Sequence, residues 1–238
     1  MNVEPSDRSW FRAFHRGFLL EGYTLTLVRG LSPRTFLDRL GAAPQGDVTG
    51  FDAFVARDRD FQDDQEEWGD RMFVGAALVR GRDADWVLAL EINGGIEIQT
   101  DSMERVTAGT RGVSHFRSPN AMSLFSWWED GELRTRFEGP LHRDGSTPDE
   151  LVDLMRHVGF DIEGGGCDVE DYIALAEELT GVQVTPDMLE HSAYSTGIVE
   201  IPTADWTSVV IDVTDAHGTR TYVELPHPTH EQRTHEQR

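Results

Sequence analysis

The chain contains no lysine: all 21 of its Lys-plus-Arg residues are arginine, set against 43 Asp and Glu for a formal net charge of −22. A Walker-type phosphate loop, a Schiff-base enzyme and a Ser-Lys dyad each need an amine or ammonium that a guanidinium does not supply, so those mechanisms are excluded. Arginine codons are GC-rich and lysine codons AT-rich, so a high-GC genome accounts for the pattern without selection for function. Cysteine is nearly absent as well. Cys167 alone cannot close an internal disulfide. Long apolar runs are missing, since Phe73 to Val79 and Val87 to Leu90 fall far short of the roughly 20 residues that span a bilayer. Met1 to Asp7 is polar and lacks the apolar centre of a signal peptide. The expectation is a cytoplasmic protein. Its negative field disfavours nucleic-acid and membrane partners and would attract a basic protein.

The material for a core is present. A chain of 238 residues, 38% hydrophobic with six Trp and twelve Phe, buries enough surface to fold as a compact body. Gly22 to Val28 alternates polar and apolar residues, the period-two pattern of a strand with one buried face. Ser32-Pro33 then opens a short helix as N-cap and first-turn proline, and Gly41 stops it. Asp47 to Asp70 is acidic, with Phe51, Phe54, Val55 and Phe61 spaced for a surface helix followed by a loop.

From Met72 to Phe137 the pattern is one of strands, at Met72 to Val79, Trp86 to Ile92, Gly112 to Arg117, Met122 to Trp128 and Leu133 to Phe137. Turn residues such as Asn93-Gly94-Gly95 and Asp130-Gly131 separate them, and Asp101 to Ala108 suits one or two helical turns. Thr147-Pro148-Asp149-Glu150 has capping-box order for a helix that closes at Gly159-Phe160. Asp168 and Thr185 start two further helices, the first ending at Gly181. Strand-like Gly197 to Ile201 follows, and then the pair Ser208 to Val213 and Thr219 to Leu225. Thr229 to Arg233 is repeated letter for letter through Arg238, which reads as a disordered tail. The expected fold class is α+β: a mainly antiparallel sheet with three or more packed helices, forming one domain over 1–226. A sheet-rich part over 1–145 and a helical part over 146–226 is the alternative division.

Four groups of residues could carry function. Trp127-Trp128-Glu129-Asp130 is the most unusual, because neighbouring strand residues face opposite sides. Either one tryptophan stands at a surface as a binding anchor beside the acids and Asn93, or helices cover both faces of the sheet. Glu91, Asn93 and Glu97 cluster at a strand end, where Glu91 and Glu97 could share acid-base chemistry. Gly164-Gly165-Gly166-Cys167-Asp168 sets the lone thiol before a helix start, without a nearby histidine or a resolving cysteine. His227, His230 and His235 could chelate a metal weakly, but no histidine pair has metal-site spacing on a credible helix. Neither a metal nor a cofactor is expected.

Several phrases in order carry a resemblance: Tyr23 to Pro33, Leu37-Asp38-Arg39-Leu40-Gly41, Trp86 to Gly94 and Phe125 to Gly131, followed by Pro148 to Phe160 and Ala174 to Leu189. Together these residues resemble a family of uncharacterised proteins of high-GC, actinobacterial-type genomes, defined as a domain of unknown function, over roughly residues 9 to 201. The resemblance implies one shared domain and brings no activity, cofactor or catalytic residue with it. The expected function is a noncatalytic acidic binding or interaction protein of immunity or regulatory type, with a basic protein as partner. The alternative is a small-molecule hydrolase or lyase using Glu91 and Glu97.

Overall fold

The computed structural model describes residues 22–64, 71–95, 99–120, 122–201, 208–214 and 220–226. The chain divides into two compact units, Met1–Ile201 and Pro202–Arg238, where the sequence pattern gave one body through 226. In the second unit β10 (Ser208–Thr214) and β11 (Arg220–Pro226) pair antiparallel, Ile211 opposite Val223. The loop and the histidine-bearing tail that follow these strands lie outside the described residues.

The first unit is built on one sheet of nine strands. They are β1 (Tyr23–Arg29), β2 (Ala43–Thr49), β3 (Arg71–Arg80), β4 (Asp85–Ile92), β5 (Arg111–Arg117), β6 (Ser123–Glu129), β7 (Glu132–Gly139), β8 (His142–Asp144) and β9 (Ala193–Glu200). Across the sheet the order is β2-β9-β3-β4-β1-β5-β6-β7-β8, with every neighbouring pair antiparallel. The fold class is α+β, as the sequence pattern indicates. A division after residue 145 does not describe this unit, because β9 comes after the helical segment and inserts between β2 and β3.

Two strands escaped the sequence pattern. Ala-Pro-Gln-Gly-Asp-Val-Thr of β2 has few strand formers, and its register against β9 shifts between Pro44 and Gly46. Proline and glycine are tolerated there because β2 is an edge strand. The three residues of β8 form the other edge.

Six described helices complete the unit: α1 (Pro33–Leu40), α2 (Phe51–Asp63), α3 (Thr100–Thr107), α4 (Val152–Val158), α5 (Val169–Thr180) and α6 (Pro186–His191). Ser32 caps α1 by accepting from the Thr35 N–H, and Gly41 ends it in the left-handed region, as their sequence positions imply. Asp168 and Asp171 form the capping box of α5. Thr147 and Glu150 do not form the box expected of them, and the helix starts only at Val152. Their side chains are taken by β7 instead: Arg134 donates to Thr147 Oγ1 at 3.0 Å and to Glu150 Oε2 at 2.8 Å.

The period-two alternation sorts side chains onto two buried faces. Tyr23, Leu25 and Leu27 of β1 join Phe54, Met155, Tyr172, Ile173 and Leu189 from α2, α4, α5 and α6. On the other side Val28, Val87, Ala89 and Trp128 meet Phe36 and Leu40 of α1 and Met103 and Val106 of α3. Gly75 of β3 leaves room for one of these contacts, since a Cβ there would stand 2.6 Å from the Phe54 ring. A sheet covered on both faces explains why β1 is buried along nearly its whole length and not on one face only.

Candidate functional site

Helices on both sides answer the question posed by the adjacent tryptophans. Trp127, on the face covered by α2, α4, α5 and α6, is 7% exposed, and Trp128, on the face covered by α1 and α3, is 2% exposed. The expectation that one of them is a surface anchor is therefore corrected. Trp128 donates from Nε1 to Ser126 Oγ at 3.0 Å, and that hydroxyl bonds Ser114 Oγ at 2.8 Å, which meets the polar needs of the buried indole.

The other residues of that group do not assemble into one site. Glu129 is exposed and pairs with Arg134 at 3.5 Å. Asp130 adopts φ +53° in the β6–β7 turn and accepts from the Gly109 N–H, which ties that turn to the connection between α3 and β5. Asn93 also has positive φ, at +49°, and lies past the end of β4. Register places Asn93 and Asp130 at opposite ends of the sheet: Tyr23 pairs with Ile92 and Arg117, whereas Arg111 pairs with Glu129. Glu91 is buried at 2%, with its side chain over Gly94, where a Cβ would stand 2.3 Å from Glu91 Oε2. Glu97 lies outside the described residues.

At the Tyr23 end the structure brings together a group that sequence reading missed. His115 of β5 is fully buried; its Nδ1 lies 3.0 Å from the Tyr23 hydroxyl, and its ring stacks on Tyr172 of α5 at 4.6 Å and 6°. His115 Nε2 is buried without a hydrogen-bond partner. The Tyr172 hydroxyl donates to the Glu138 carbonyl, which can only accept. With that proton committed, the contact of 3.2 Å between Tyr172 Oη and Cys167 Sγ is one in which the thiol donates. The exposed Cys167 is thus tied to α5 through a tyrosine. The one sequence signal for this group was a histidine at an inward position of an alternating strand, Val113-Ser114-His115-Phe116.

Electrostatics fixes the protonation of these groups. Burial holds the His115 imidazole down at about 3 from the usual 6.5, and the nearby Arg117 pushes the same way. Burial raises both the Tyr23 and the Tyr172 hydroxyls, the latter helped by its bond to Cys167. At neutral pH all three are uncharged, so His115 acts as a stacking and hydrogen-bonding group and not as a proton carrier. Tyr172→Phe removes the donor to Glu138 and the acceptor for Cys167. It should cost about 1–2 kcal/mol in urea unfolding, and an unchanged midpoint would show the hydroxyl idle.

The same corner holds a groove of about 550 Å³, lined among others by Leu124, Arg136, Phe137, Glu138, Leu141 and Gly165. Glu138, whose carbonyl receives the Tyr172 bond, connects groove and cluster. Arg136 crosses to Asp144 at 3.1 and 3.3 Å. Leu141, in the β7–β8 turn, is 53% exposed and lies against the glycine run at Gly165. Among the described residues no group of three or more His, Cys, Asp or Glu is placed to hold a metal ion, and no helix is long and apolar enough to cross a membrane.

Fold and site define an α+β protein with a single large antiparallel sheet, helices on both faces and a groove at one corner. Residues 1–204 match the model of a family of unknown function, DUF6461, and the chain belongs to that family. No curated protein and no solved structure matches the chain.

Proposed function

We propose that this is a noncatalytic binding protein of immunity or regulatory type, acting in the cytoplasm, whose partner is a basic protein that docks at the β7–β8 corner. The observation that carries this reading is the groove of about 550 Å³ with Leu141 exposed at its rim. An exposed leucine beside an open concavity gives an apolar side chain somewhere to bury. β8 is the last strand of the sheet, so among the described residues its outer edge has no strand partner, the arrangement to which an extended segment can add. Glu138 sets a carboxylate beside the groove, the Asp144 carboxylate being paired with Arg136, and a formal charge of −22 attracts a cationic chain from a distance.

Selection of a random peptide display library on the native protein tests the proposal. Enriched peptides should be Arg- or Lys-rich around one apolar residue and should bind at least about tenfold more weakly to Leu141→Asp. Their affinity should fall as salt rises from about 0.05 to 0.5 M. Enrichment of acidic or neutral peptides, or equal binding by the variant, would remove the reading.

A further inference from the structure

At the opposite end of the sheet three arginines meet around a polar pocket of about 40 Å³. Arg29 is the last residue of β1 and Arg111 the first of β5. These strands pair Val28 with Gly112, so one further step of the same register sets Arg29 directly across from Arg111. Like charges facing each other across a strand pair are destabilising unless something of opposite sign lies between them. Arg82, from the β3–β4 turn, closes on the same space together with Trp86 and the C-terminal end of α5 at Thr180 and Gly181.

The obvious internal counter-charges are engaged elsewhere or only loosely. Glu129 stands opposite Arg111 in the β5–β6 register, but its ion pair is with Arg134. Glu178 reaches Arg82 only at 3.8 Å. Among the described residues Arg29 and Arg111 form no ion pair, and Arg111 Nε is buried with no hydrogen-bond partner. The cap of α5 is made by its own backbone, with the Gly181 N–H donating to the Glu177 carbonyl. With Asp83 and Glu178 as the lining acids, the pocket carries one more positive than negative side chain, in a protein of charge −22.

We infer that this pocket is a binding site for a small oxyanion of the inorganic phosphate or sulfate class, held between the guanidinium groups of Arg29, Arg82 and Arg111. Planar N–H forks match such oxygens, and charge-assisted hydrogen bonds are the strong kind. A single water needs roughly 10–15 Å³ of such space, so the pocket takes one small anion and excludes a nucleotide. The anion offsets the like charges that the strand register sets opposite each other at Arg29 and Arg111.

Calorimetric titration of the full chain in chloride buffer with inorganic phosphate, and separately with sulfate, tests this, with thermal unfolding at matched ionic strength as a second readout. Phosphate or sulfate should bind the wild type and raise its Tm beyond the effect of chloride. Arg111→Gln and Arg82→Gln should weaken binding by about tenfold or more. Arg34→Gln, on the exposed side of α1, should bind like the wild type. Absence of binding to the wild type, or equal binding by Arg111→Gln and Arg82→Gln, would overturn the inference. If Arg111→Gln does not fold, the more exposed Arg82→Gln decides the matter.

Discussion

Trp127→Ala and Trp128→Ala are each expected to lower folding stability by about 3–5 kcal/mol, the range for emptying a buried aromatic position. Trp127 belongs to the core on the α2, α4, α5 and α6 face together with Phe125, Phe137 and Tyr172, whereas Trp128 belongs to the core on the α1 and α3 face with Met103 and Val106. Removing Trp128 also takes the indole donor from Ser126 Oγ, leaving the Ser114–Ser126 pair next to a cavity. Urea unfolding of the two single variants gives the values directly. A loss below about 0.5 kcal/mol in either, the range usual for surface positions, would mean that the side chain stands at a surface after all.

His115 makes stability depend on pH with a defined sign. Its native pKa of about 3 lies below the ordinary 6.5 of the unfolded chain, so between these values the unfolded state holds a proton that the native state does not. Stability tied to this residue is therefore complete above about pH 6.5 and falls as pH drops toward 3, with a slope of up to about 1.4 kcal/mol per pH unit. The advantage of the wild type over His115→Gln should shrink by that slope as pH is lowered through the window. Parallel stability curves for the two proteins would show that His115 is not the neutral, enclosed imidazole described here. Because both proteins carry the same carboxylates, the difference between them isolates the histidine.

Strand and helix positions were legible where chemistry is local. Ser32-Pro33 with Gly41, Asp168 with Gly181, and Thr185-Pro186 mark helix ends because caps and terminators act within four residues of one another. Thr147 to Glu150 shows the limit of that rule: the capping pattern is intact, yet Arg134 of β7 takes both side chains and the helix begins later. Edge strand β2 was hidden for the converse reason, since pairing with β9 supplies the order that Pro44 and Gly46 lack. The candidate sites depended even more on distance. Glu129 and Asp130 looked like companions of Asn93, but register carries them to opposite ends of the sheet.

By itself the sequence determined the chemistry this chain can offer: guanidinium without ammonium, one thiol, a large excess of carboxylate, and enough punctuation to set an antiparallel sheet among helices. Tertiary structure alone decided which of those groups meet. It buried both tryptophans, stacked His115 on Tyr172, placed Leu141 beside an open groove and brought Arg29, Arg82 and Arg111 to one pocket. Propensity and capping act over a few residues of one segment, whereas strand pairing joins residues far apart in the chain, as it does for Tyr23 and His115, 92 positions apart.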